Sequence, residues 1–260
     1  MVIKKEARKE SKLSTGQAKK DDFNIDLEEM AKAGVHFGHR TSRIHPKIEP
    51  YLYGVRNNVH IINLEKTAEK LKEALKFIQK LISESKNLLM VGTKIQTKEL
   101  VKSLAIDCGL PYVNERWLGG TFTNFEIIKK RIEYFKELEN KKSKGELEKY
   151  TKKERAKFDE ELRELEIKFG GIKNLNQLPD AIFVLDIKKD YLSVKEAQLE
   201  GIKIIGLSDT NTDPTLADYP IPANDDAVSS VKYILEKVKD VILKAKQETE
   251  NKEQKTKNKE

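Results

Sequence analysis

Short, continuously apolar runs alternating with helically periodic stretches predict an α/β protein. The expected core is a doubly wound, mainly parallel sheet of the flavodoxin or Rossmann type, carrying an inserted antiparallel helical coiled-coil hairpin. Three observations lead there. Leu88-Leu89-Met90-Val91, Ala181-Ile182-Phe183-Val184-Leu185 and Lys203-Ile204-Ile205-Gly206-Leu207 have strand length and carry apolar side chains at successive positions, as strands buried on both faces do. Helical stretches separate them, which is the alternation that generates parallel pairing. Finally, two glycine doublets, Gly119-Gly120 and Gly170-Gly171, bracket a highly charged segment with two narrow apolar stripes.

Taken in order, residues 1–22 mix Lys, Arg, Glu and Asp with few apolar side chains and are expected to be disordered. A first part of the α/β domain follows over 23–122. Asp26 with Glu29 has the form of a capping box, opening a short helix that Gly34 closes. Residues 35–47 are rich in Gly, Pro and basic residues and read as a basic surface loop. Tyr51–Val55 and Val59–Ile62, separated by Arg56-Asn57-Asn58, read as a hairpin. Leu71, Leu75, Ile78 and Ile82 give Leu64–Ile82 a helical period, and the strand Leu88–Val91 precedes the turn Gly92-Thr93-Lys94 and a helix reaching Cys108. Tyr112-Val113 is a brief strand.

The hairpin is expected over 123–169. Phe125, Ile128, Ile132, Phe135 and Leu138 lie on one helical stripe, the chain loosens around Lys141–Gly145, and Phe158, Leu162, Leu165 and Phe169 form a second stripe. At about 1.5 Å per residue, each arm would extend on the order of 27 Å. The second part of the domain, 170–246, holds the strand ending at Asp186, a helix over Tyr191–Glu200, the strand Lys203–Leu207, the Asp209–Pro214 loop and a last helix from Asp225 to Lys246. Residues 247–260 mix Lys and Glu without periodicity and are expected to be a disordered tail.

Composition narrows the function. The 50 Lys and Arg outnumber 43 Asp and Glu, leaving a net charge of +7 that suits a polyanionic partner. One cysteine, Cys108, allows no internal disulfide, and no apolar run approaches the roughly 20 residues of a membrane span. With no apolar stretch beside its N-terminal charges to act as a signal peptide, the chain is expected to be cytoplasmic. No catalytic constellation is present, so no enzyme and no cofactor are expected. Gly92-Thr93-Lys94 follows a strand, as a phosphate site would, but lacks the full phosphate-loop spacing, and no G-x-G-x-x-G occurs. Asp209-Thr210-Asn211-Thr212-Asp213 begins like a calcium loop, yet Pro214 and Pro220 occupy the positions that need Gly and Glu, so a side-chain-bonded turn is expected instead. His36, His39, His45 and His60 have neither a Cys nor an acidic residue within the loop to complete a zinc set, and no metal is expected.

The residues placed for nucleic acid are Arg40, Arg43, Lys47 and Arg56 as one basic patch, Lys94 at its turn, and Arg116 beside Trp117 ahead of a glycine doublet. Trp117 has a second reading, as a structural wedge.

These residues carry a resemblance. Ala33-Gly34-Val35-His36-Phe37-Gly38-His39, Val59–Thr67, Val91-Gly92-Thr93-Lys94, Arg116-Trp117-Leu118-Gly119-Gly120, Gly170-Gly171-Ile172-Lys173, Leu178-Pro179-Asp180-Ala181, Asp209–Pro214 and Ile221–Ala227 resemble, in order, the motifs of the bacterial-type small ribosomal subunit protein S-two family. The resemblance implies an α/β sandwich without nucleotide and a projecting coiled coil. It also implies ribosomal RNA as the main ligand at the junction of head and body, and help in docking the OB-fold protein S-one. RNA contacts carry over most directly to Arg43 and Lys47, then to Arg116 and Trp117. Arg40 stands where Gln is common and His45 where Asn is common. Two other readings stay open on residues alone: an enzyme or nucleotide sensor on a flavodoxin-like fold with Gly92-Thr93-Lys94 as its phosphate site, and a coiled-coil adaptor that touches only proteins.

Overall fold

The computed structural model describes residues 23–257, with side chains through residue 249. The expectation of disorder for residues 1–22 lies outside this range.

A short helix α1 (Leu27–Lys32) is capped by the Asp26 carboxylate, which accepts from the Glu28 amide, and ends at Gly34 with φ +77°. Three strands then form a small antiparallel sheet in the order β1–β3–β2: β1 (Phe37–Arg40), β2 (Leu52–Arg56) and β3 (Val59–Ile62). The hairpin of β2 and β3 turns on Asn57 and Asn58, both with positive φ. The expected basic loop is therefore corrected: its first half is a paired strand, β1, and Pro46–Tyr51 is a 3-10 turn opened by Pro46. Local composition hid β1 because its partner, β3, lies some twenty residues on.

Helix α2 (Leu64–Ser83) begins at Asn63, whose side chain accepts from the Glu65 and Lys66 amides. Five parallel strands follow: β4 (Leu88–Val91), β5 (Tyr112–Val113), β6 (Ala181–Val184), β7 (Lys203–Ser208) and β8 (Tyr219–Pro222). Their spatial order β5–β4–β6–β7–β8 is the 2-1-3-4-5 order of flavodoxin-like sheets, with its switch point between β4 and β6. β8 contains Pro220 and Pro222 and sits at an edge, the place in a sheet that tolerates residues lacking an N–H.

Alternate side chains face opposite layers. Leu88, Met90, Ala181 and Phe183 pack with α2, α3 (Lys98–Cys108) and α7 (Val228–Lys257), while Leu89, Val91, Ile182 and Val184 pack with α6 (Tyr191–Leu199) and the 117–172 segment. Helices α4 (Phe125–Ser143) and α5 (Lys152–Phe169) bury Ile128, Ile132, Phe135 and Leu138 with Leu162, Leu165 and Phe169. Tyr134 donates to Glu161, and Lys142 pairs with Asp159 at 2.6 Å, joining the two helices. Gly171 closes this segment where any Cβ would overlap the Tyr112 carbonyl. The last helix is longer than expected: α7 runs past Lys246 to Lys257, through good helix formers with no Gly or Pro to stop it. Among the described residues, no helix is long and apolar enough to cross a membrane.

Candidate nucleic-acid interface

The small sheet brings separated arginines together. Val59 on the middle strand is in register with Arg40 on one side and Arg56 on the other, so both arginines flank it on one face. Both are exposed, as is Arg43, whose amide donates to the Arg40 carbonyl at 2.8 Å in the next turn. Three guanidiniums thus gather at one end of a sheet whose backbone is fixed to the main core. The fixing is close. The His39 amide donates to Thr210 Oγ1 at 2.8 Å, the His45 amide donates to the Thr210 carbonyl at 2.8 Å, and a Cβ on Gly38 would overlap the Thr210 side chain.

Lys47 lies beside this group. Its ammonium donates to Asp213 Oδ2 at 2.7 Å and to Thr215 Oγ1 at 3.0 Å, leaving the side chain about half exposed. Partial burial pushes the Asp213 carboxyl up, but hydrogen bonds from Lys47 and Thr215 outweigh it and hold the pKa at about 2.

Lys94 is elsewhere. It follows β4 at the switch point, where a doubly wound sheet usually takes its ligand, but its ammonium meets carboxylates from three directions: Asp186 at 3.0 Å, Asp225 at 2.8 Å and Asp226 at 2.7 Å. Burial works against its charge, yet hydrogen bonds to Asp225 and Asp226 hold its pKa above the usual lysine range. Burial and the Asp186 and Asp209 charges push Asp225 up to about 7 against the pull of Lys94. On this geometry the groups that Lys94 meets are the protein's own carboxylates. Its side chain is only 15% exposed, and a phosphate there would face three carboxylates. No sequence window contains this clamp, because its carboxylates arrive from the loops after β6 and β8.

His39 extends the same network. Nδ1 lies 3.2 Å from Asp209 and Nε2 lies 3.4 Å from Asp226, and the hydrogen bond that the ring donates to Asp209 raises the imidazole pKa. One ring nitrogen and two carboxylate oxygens within 4.8 Å of one another are a donor set suited to a divalent cation; in this structure ion pairs join the three directly. The histidine loop itself holds no acid; Asp209 and Asp226 come from much later in the chain. The other histidines do not join this group: His60 is buried, and His45 Nδ1 accepts from the Lys47 amide.

Arg116 is exposed on the loop after β5, at the opposite edge of the main sheet from β8. Trp117 is 6% exposed, meets Phe122 edge-on at 4.8 Å and donates from Nε1 to Glu196 Oε1 at 3.2 Å. This is the packing expected of a structural wedge. Glu196 also accepts the Gly120 and Phe122 amides, at 2.8 and 2.9 Å, so one buried carboxylate folds the whole loop onto α6.

Beside the arginines, Phe37, Tyr53, Val55, Val59 and Ile61 line a groove of about 640 Å³, with Tyr53 81% exposed.

Residues 30–245 match the family model of ribosomal protein S2. The chain is 46% identical over 220 residues to small ribosomal subunit protein uS2 of Dictyoglomus thermophilum, covering 85% of this chain and 89% of that one. It is 47% identical over 219 residues to the uS2 of Microcystis aeruginosa, covering 84% and 83%, and 44% identical over 219 residues to that of Coprothermobacter proteolyticus, covering 84% and 82%.

Proposed function

Because the chain belongs to the ribosomal protein S2 family, a family of structural, non-enzymatic proteins, we propose that it is a constituent of the small ribosomal subunit that holds ribosomal RNA where head and body meet. The observation that carries this is the set of Arg40, Arg43 and Arg56, exposed together on a small sheet locked to the core. Guanidiniums on a rigid platform neutralise phosphates at fixed positions and release counterions; they set the orientation of an RNA fold more than they read its sequence. Arg116 supplies a further contact. Lys47 contributes through its exposed half, while Lys94 and Trp117 serve the fold. Helices α4 and α5 form an antiparallel coiled-coil spur projecting from the domain, as the Tyr134–Glu161 and Lys142–Asp159 contacts support. The apolar groove beside the arginines supports a neighbouring-protein contact, for which the OB-fold protein S-one is the candidate.

The test replaces Arg40, Arg43 and Arg56 by Ala and measures the chain in purified small subunits by quantitative mass spectrometry. Occupancy is expected to fall several-fold with the isolated fold intact; full occupancy contradicts the reading. In a second variant, Phe37→Ala with Tyr53→Ala, the same measurement is expected to show S-one reduced while the chain itself stays bound.

A further inference from the structure

Charge is unevenly distributed along α4 and α5. The stretches nearer the core, 125–140 and 156–169, together hold seven cations and nine acids. Several are paired with each other, as in Lys168 with Glu164 at 2.8 Å. Residues 141–155, where the two helices meet, hold seven cations and three acids, and all seven cations are exposed. The shaft is therefore slightly acidic and the tip strongly basic.

Two further observations separate this tip from an ordinary solvated charge run. The loop is built: Leu147 is buried, Tyr150 packs edge-on against Phe158 at 5.2 Å with Lys149 over its ring, and Gly145 turns at φ +71°. The lysines therefore leave a folded frame. In addition, Lys152 and Lys153 occupy the first turn of α5, the end of a helix at which its dipole disfavours cations. A capping box of Thr151 and Glu154 holds that turn in spite of them. Helix stability does not account for cations placed there, whereas an anionic partner does.

We infer that the α4–α5 tip is a second, separate RNA-phosphate contact, made by Lys141, Lys144, Lys152 and Lys153, and that the shaft bears no RNA. This rests on the ribosomal reading above and extends it. The two sites, at the small sheet and at the spur's end, would grip the RNA at positions tens of ångströms apart, given about 1.5 Å of rise per residue along α4.

The experiment uses the full chain and small-subunit particles stripped of this protein by salt, and measures rebinding across a potassium chloride series. The tip variant carries Gln at positions 141, 144, 152 and 153. The control carries Gln in place of Lys130, Arg131, Lys136 and Lys157 on the shaft. Removing cations from the positive end of α5 should leave the melting temperature at or above that of the unmodified chain, so lost binding cannot be assigned to a failed fold. The expected result is a log–log salt slope shallower by about 3 for the tip variant, four contacts at roughly 0.7–0.9 each, with the control unchanged. Equal slopes for both variants and the unmodified chain overturn the tip assignment alone. A control that loses as much as the tip variant overturns the charge segregation. An unmodified chain that does not rebind overturns the ribosomal reading with it.

Discussion

At the scale of single residues, the same ionic group serves different ends according to what surrounds it. Lys94 and Lys47 were both legible in the sequence as basic residues at a Gly- or Pro-rich turn, and neither turn reveals its acids. Lys94 is enclosed by Asp186, Asp225 and Asp226, whereas Lys47 keeps half its side chain in water while bonding Asp213. The Asp213 contact gives a pH prediction. Its folded pKa of about 2 lies below the unfolded value of roughly 3.9, so the contribution is complete above about pH 4 and is lost as pH falls through 2. Because Lys47 is solvent-screened, the contribution should be under about 1 kcal/mol. Lys47→Met should move the Asp213 carboxyl upward in an NMR titration, and an unmoved carboxyl would mean that Thr215 alone sets it.

At the scale of elements, what could be read from the chain was what nearby residues determine. The periods of α2, α4 and α5 and the apolar runs of β4, β6 and β7 are local, and the structure places those elements within a residue or a few of where the sequence does. The residues of β1 and β8 themselves, Gly38 and Arg40 or Pro220 and Pro222, argue against a strand, and only their pairing with β3 and β7 reveals them. Trp117 likewise bonds a residue far along the chain, Glu196 on α6. That carboxylate ties α6 to the 116–122 loop, which yields a stability prediction. Glu196→Ala leaves the Trp117 indole and the Gly120 and Phe122 amides without their acceptor, at a cost of about 3 kcal/mol. Urea unfolding should show a correspondingly lower midpoint; a change under about 0.5 kcal/mol would mean that the loop is held by packing alone.

At the scale of the whole molecule, a net charge of +7 says little about where an anion binds, because cations and acids are interleaved along the chain. The fold sorts them. It draws Lys94 and His39 inward among carboxylates at the strand ends, and leaves Arg40, Arg43 and Arg56 outward on a sheet clamped through Thr210. The carboxyl ends of the strands, where such sheets commonly take a nucleotide, hold the protein's own ion pairs, so the proposed RNA contacts lie at the periphery. The most direct measurement is ultraviolet protein–RNA cross-linking in intact small subunits, with the cross-linked peptides identified by mass spectrometry. The account predicts cross-links in the peptides containing Arg40, Arg43 and Arg56 and none at Lys94; cross-links at Lys94 with the small sheet unmodified would contradict it.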